Sequence, residues 1–205
     1  DASFPFQTVL PPDTLETIRG GRIAVLPNWL PSKDVKELLA DAQTLYDNGQ
    51  FTADSLATYG KRKQEGDFDP TRDRMVLPSF YPSSGKDGPF TDSSLGNNVA
   101  RNRLAGRLAS VRLALADGLG RPGLVPEGEA MTSLNQRAPH RHEMSYTRFG
   151  PGAFLRRHID EHHEELKGKN GWLKPTRRSI SWLVYLNEDW DPSMSGGELR
   201  CYERR

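Results

Sequence analysis

The chain has 205 residues, enough to bury one sizeable core and too few to demand a second domain. Its 28 basic and 27 acidic side chains leave a formal net charge of +1, so nothing draws the molecule as a whole to nucleic acid or to an anionic membrane surface. A single cysteine, Cys201, excludes an internal disulfide and fits a reducing intracellular compartment, and no apolar run approaches the roughly 18 residues that span a bilayer.

With 27% charged residues, 19 Gly and 15 Pro, a soluble domain with many loops is expected. Residues 1 to 21 carry Pro and Gly punctuation and little periodicity, as an arm or a short edge strand would. Arg22 to Leu26 reads as a strand ending at Pro27. Ser32 is placed to cap a helix in which Val35, Leu38, Leu39, Ala42, Leu45 and Tyr46 recur at helical spacing until Asn48-Gly49 stops the run. That apolar face has to pack on something, and a helix buttressing a sheet is the natural partner. Phe51 to Asn98 is polar, with Pro70, Pro78, Pro82 and Pro89 and a Gly/Ser-rich patch from Ser83 to Gly96, and part of it is expected near a site entrance. Arg72, Asp73 and Arg74 read as a solvated charged turn. A second helix is predicted from about Val99 to Asp117, with Leu104, Leu108, Val111 and Leu115 as its buried stripe. Arg101, Arg103, Arg107 and Arg112 are expected on its solvated surface. Gly118 and Gly120 then end it.

From Met131 the period changes. Met144 to Phe149, Phe154 to Asp160, Ser179 to Leu186 and Glu198 to Tyr202 alternate or carry β-branched and aromatic residues, separated by Gly150-Pro151-Gly152 and Ser195-Gly196-Gly197. Helices first and short strands later predict an α+β domain: a double-stranded β-helix (jelly-roll, cupin-like) core with N-terminal helices packed on one face. In that division residues 1–130 are helical buttress and loops. Residues 131–205 are the first part of the jelly roll, its final strands missing.

Within Phe154 to Asp160, His158 and Asp160 stand two apart, so on a strand both project to one face, about 6 to 7 Å apart along the backbone. A neutral imidazole and a carboxylate converging on one point supply two thirds of the facial triad that holds non-haem Fe(II) and leaves positions open for oxygen and a cosubstrate. Five histidines in this length make a chance His-x-Asp commonplace, so the surroundings have to carry the reading. One cysteine and poorly spaced histidines offer no tetrahedral zinc set. Arg178 to Tyr202 contains Tyr185, the Leu186-Asn187 pair, an acidic turn around Asp189-Trp190, and Gly196-Gly197-Glu198-Leu199-Arg200. Upstream, Tyr146 to Asp160 contains a tyrosine, a Gly-rich turn, an aromatic and the His-x-Asp. These two motifs, in this order, resemble the prolyl-4-hydroxylase type of 2-oxoglutarate and Fe(II)-dependent oxygenases, closest to the hypoxia-type prolyl hydroxylases.

The resemblance implies an Fe(II)- and 2-oxoglutarate-dependent dioxygenase that hydroxylates a peptidyl residue, proline first, with ascorbate as reductant and a protein or peptide as substrate. It implies His158 and Asp160 as metal ligands. It sets Tyr185 where the family hydrogen-bonds the distal carboxylate of 2-oxoglutarate, and Tyr146 near the same cosubstrate. On its strand Tyr185 lies opposite Ile180, Trp182 and Val184, so one face serves the site and the other the packing. The family's third ligand, a histidine, and the basic residue beyond it would fall after Arg205, so the sequence is expected to be part of a longer protein. The alternatives are a truncated, inactive binding module, or substitution by His162, which a regular strand sets about 13 Å from His158. A third class, an oxygenase of small molecules or nucleic-acid bases, would call for a basic groove that the charge balance does not favour.

Overall fold

Leu38 and Leu45 stand two helical turns apart, and their relative exposures are 1% and 0%. They mark the inner stripe of a helix whose phase the apolar spacing already sets. The computed structural model describes residues 10–53, 74–77, 95–121, 144–153, 155, 180–191 and 193–202. Within them are three helices, α1 (Pro12–Arg19), α2 (Ser32–Asp47) and α3 (Asn98–Gly118), and three strands, β1 (Thr52–Ala53), β2 (Arg74–Val76) and β3 (Thr147–Phe149). The class is α+β.

Helix α2 ends where Gly49 takes φ +71°, a conformation that costs a side-chain-bearing residue about 1–2 kcal/mol. There the Gly49 N–H bonds the Tyr46 carbonyl and the Gln50 N–H bonds the Leu45 carbonyl, which satisfies the helix's last acceptors. Helix α3 starts on Asn97, whose side-chain oxygen accepts from the Ala100 N–H at 3.0 Å. Its buried residues include Ala105, Leu108, Val111 and Leu115.

The N-terminal stretch departs from the expected arm or edge strand. Pro12 sits at the start of α1, where its missing N–H costs nothing, and Arg19 donates to the Gly118 carbonyl at the end of α3. Leu15 lies so close to Gly118 that a Cβ there would overlap its methyl groups. The predicted strand over Arg22–Leu26 is absent: that segment has no ladder partner among the described residues, and Ile23 and Val25 face outward at 56% and 80% exposure.

The sheet has the order β1-β2-β3, antiparallel throughout. Thr52 pairs with Val76, and Arg74, Met75 and Val76 pair with Phe149, Arg148 and Thr147. β1 and β2 come from Phe51–Asn98, the polar stretch expected to be loop. Arg74, expected in a solvated turn, lies in β2 with its guanidinium 5.9 Å from the Phe149 ring centroid. Leu30, Leu38, Leu45, Phe51, Leu77, Ala100, Ala105 and Tyr146 form the core between sheet and helices. A double-stranded β-helix is not formed among the described residues. Ile180–Leu186 and Glu198–Tyr202 are extended segments outside the three assigned strands, and of Phe154–Asp160 only Leu155 is described.

Two arginines of α3, Arg101 and Arg107, depart from the expected solvated face, while Arg103 is exposed as expected. Arg101 is fully buried against Asp41. Arg103 bridges Asp34 and Glu37 of α2, each at 2.7 Å. Arg107 donates to the Trp29 carbonyl at 2.8 Å with its guanidinium 5.6 Å from a Trp29 ring centroid. These side chains knit α3 to α2 and to the loop before it.

Candidate active site

The segment from Ile180 to Leu186 alternates along its length. Ile180, Trp182, Val184 and Leu186 are partly covered, while Ser181, Leu183 and Tyr185 are exposed. Val184 and Leu186 pack on the core, and Trp182 meets Trp29 edge to face with ring centroids 5.2 Å apart. The face carrying Ile180 is therefore the packing face. Tyr185 and Leu183, each 59% exposed, lie on the open one. Partial burial raises the Tyr185 phenol above its ordinary value, and the Cys201 thiol, whose ionised form repels a phenolate, pushes the same way. Tyr185 is thus a protonated donor at neutral pH, the form that can hydrogen-bond a carboxylate.

After this segment the chain turns at Trp190 to Gly197. The Asp191 carboxylate accepts from the Ser193 N–H at 2.8 Å and from its hydroxyl at 2.6 Å, and these bonds hold the Asp191 carboxyl below its usual range. The Trp190 indole N–H reaches the Gly196 carbonyl at 2.7 Å and closes the base of the turn. Leu199 and Tyr202 follow, 53% and 57% exposed.

Tyr146, the other tyrosine expected at the cosubstrate, is in a different setting. It is 8% exposed, and its hydroxyl donates to Asp41 Oδ2 at 2.9 Å. Burial first, and then the Asp41 carboxylate, raise its phenol far above the ordinary range. Asp41 Oδ1 accepts from Arg101 Nη1 at 2.7 Å and from the Asn97 N–H, and Arg101 Nη2 reaches the Leu95 carbonyl at 2.9 Å. Sequence reasoning missed Asp41 and Arg101 because each is charged. The available signal was phase: Asp41 shares the stripe of Leu38 and Leu45, and Arg101 that of Leu104, Leu108 and Leu115.

His158 and Asp160, expected from the sequence to bind metal, lie outside the described residues, as do all five histidines. Among the described residues no group of three His, Cys, Asp or Glu could hold a metal, and no helix is long and apolar enough to cross a membrane. The class defined so far is an α+β protein with a tyrosine-bearing open face beside an ordered turn. Residues 144–205 match the sequence model of the 2OG-Fe(II) oxygenase superfamily, which begins just before β3 and takes in His158, Asp160, Tyr185 and the turn. The match supports a member of that superfamily, an oxidoreductase of dioxygenase type working with Fe(II) and 2-oxoglutarate. No curated protein and no solved structure matches the chain.

Proposed function

We propose that this chain is an Fe(II)- and 2-oxoglutarate-dependent dioxygenase that hydroxylates a residue in a protein or peptide, proline first, with ascorbate keeping the metal reduced. The observation that carries the reading is the superfamily match over residues 144–205, which includes both the His-x-Asp pair and the open face at Tyr185. His158 and Asp160 would hold the metal, a hard carboxylate with an imidazole suiting Fe(II). Iron with 2-oxoglutarate supplies the chemistry: one oxygen atom of O2 enters a substrate C–H bond as hydroxyl, the other enters 2-oxoglutarate as it loses carbon dioxide to become succinate.

This chain's residues bind and orient. Tyr185 donates its phenolic proton to the far carboxylate of 2-oxoglutarate, and Leu183, on the same face, keeps water from that end. Trp182, Val184 and Leu186 fix the segment from behind, which sets the face from which the phenol projects. Exposed Leu199 and Tyr202 offer apolar surface suited to a peptide, and the charge balance argues against a nucleic-acid strand.

The test incubates the full-length protein with Fe(II), ascorbate and 2-oxoglutarate and measures succinate with and without a proline-containing peptide. Peptide-stimulated succinate, lost in His158→Ala/Asp160→Ala, is the expected result. Succinate formation unchanged in that double variant would remove the proposed site. Hydroxylation of the peptide at a residue other than proline would retain the oxygenase and change the substrate.

A further inference from the structure

We propose that Asp41 and Arg101 are positioning residues for the oxygenase site, acting through the Tyr146 hydroxyl to fix β3 and the Gly150–Gly152 turn that precedes His158 and Asp160 in the chain. The inference rests on the function proposed above. Its core is the way one carboxylate gathers three parts of the chain. Asp41 Oδ1 takes Arg101 of α3 and the Asn97 backbone before it, and Oδ2 takes Tyr146 immediately before β3. Neither side chain of the ion pair has any exposure.

Adhesion between helices does not call for such a pair, since apolar side chains of similar volume hold a core as well or better. What directional bonds add is register. Tyr146 is pinned at both ends: its carbonyl accepts from the Leu77 N–H at 3.0 Å beyond β2, and its phenol reaches into the helical layer. Tyr146 and Arg148 face inward, the latter with its guanidinium 4.2 Å from the Tyr46 ring centroid, while Thr147 and Phe149 face out. A slip of one residue would invert that alternation and bring the chain into the following turn with the wrong face forward. The Ala153 N–H closes that turn on the Gly150 carbonyl at 2.9 Å, so the turn is tied directly to the end of β3. Swinging the Tyr146 phenol out to a cosubstrate would leave Asp41 Oδ2 buried without this donor, which opposes a direct ligand role.

The test compares Tyr146→Phe, Asp41→Asn and the double variant in the full-length protein. The Leu77 amide, which bonds the Tyr146 carbonyl, is expected to exchange at least about fivefold faster in each single variant and no faster in the double. Turnover to succinate at saturating 2-oxoglutarate is expected to fall about tenfold, with the KM for 2-oxoglutarate changed by less than about threefold. If Asp41→Asn does not fold, Tyr146→Phe carries both readouts. A rise of about tenfold or more in that KM at unchanged turnover makes Tyr146 a cosubstrate ligand and overturns the proposal. Leu77 exchange and turnover like those of the parent overturn it as well. If the parent makes no succinate, the oxygenase reading fails separately, and Leu77 exchange then decides the joint: faster exchange upholds it and unchanged exchange ends it.

Discussion

Arg101 donates to Asp41 across 2.7 Å, and both side chains are wholly excluded from solvent. Removing one member strands the other's charge, so Asp41→Ala is expected to cost about 3–5 kcal/mol in urea unfolding. Replacing both by apolar residues, Asp41→Leu with Arg101→Met, is expected to recover much of that loss. A double variant no more stable than Asp41→Ala would mean that the stranded charge is not the source of the cost.

Gly96 tests the same node without touching a functional group. It takes φ +66°, and a Cβ there would overlap Asp41 Oδ1 and lie 2.9 Å from Arg101 Nη1. Gly120, at φ +60°, has nothing within 4 Å of the same position. Gly120→Ala should therefore cost only the conformational penalty of about 1–2 kcal/mol, and Gly96→Ala that penalty plus displacement of the ion pair. Thermal denaturation of the two variants gives the comparison, and equal losses would show that the pair accommodates a methyl group.

The Tyr146 phenol sets a pH dependence. Its folded-state pKa lies above the ordinary value near 10, so above that pH the folded protein keeps a proton that the unfolded chain releases. The unfolded state then binds fewer protons, and stability falls as pH rises, by up to about 1.4 kcal/mol per pH unit from this group. Tyr146→Phe lacks this component. The stability gap between parent and variant is expected to hold steady from about pH 7 to 9 and to narrow above about 10. A gap that stays constant through that range would contradict the buried, protonated phenol.

Tyr185→Phe removes a donor from an exposed position, so the fold should be spared within about 0.5 kcal/mol. A hydrogen bond to a charged carboxylate contributes about 1.5–3 kcal/mol, which predicts 2-oxoglutarate binding weakened by about tenfold to a hundredfold. Calorimetric titration of 2-oxoglutarate into metal-loaded parent and variant measures it. Unchanged affinity would take Tyr185 out of the cosubstrate site.

The two longer helices were legible because apolar spacing and the Asn48-Gly49 stop are local signals, and the alternation from Ile180 to Leu186 was legible for the same reason. Helix α1 was not: among Pro12–Arg19 only Leu15 and Ile18 are apolar, and the helix leans on the end of α3 rather than on its own pattern. Arg22–Leu26 shows the converse, since a strand needs a neighbour that composition does not reveal. β1 and β2, at two and three residues, are too short for any period to register. At the candidate site the sequence separated the two faces of the Tyr185 segment but could not say which one packs. Trp29 and the core decided that. For Tyr146 it supplied a position in a motif, and the partner that takes the hydroxyl lies 105 residues earlier.

That separation also bears on how the chain is made. Emerging from the ribosome, α2 and α3 can join through Asp41 and Arg101, which are 60 residues apart, well before Tyr146 is synthesised. Until then Phe51 and Leu77, which share the core with Tyr146, lack that partner. Assembly of the sheet is held back by the long loop that must close, and this interval is where a chaperone would find its hydrophobic target.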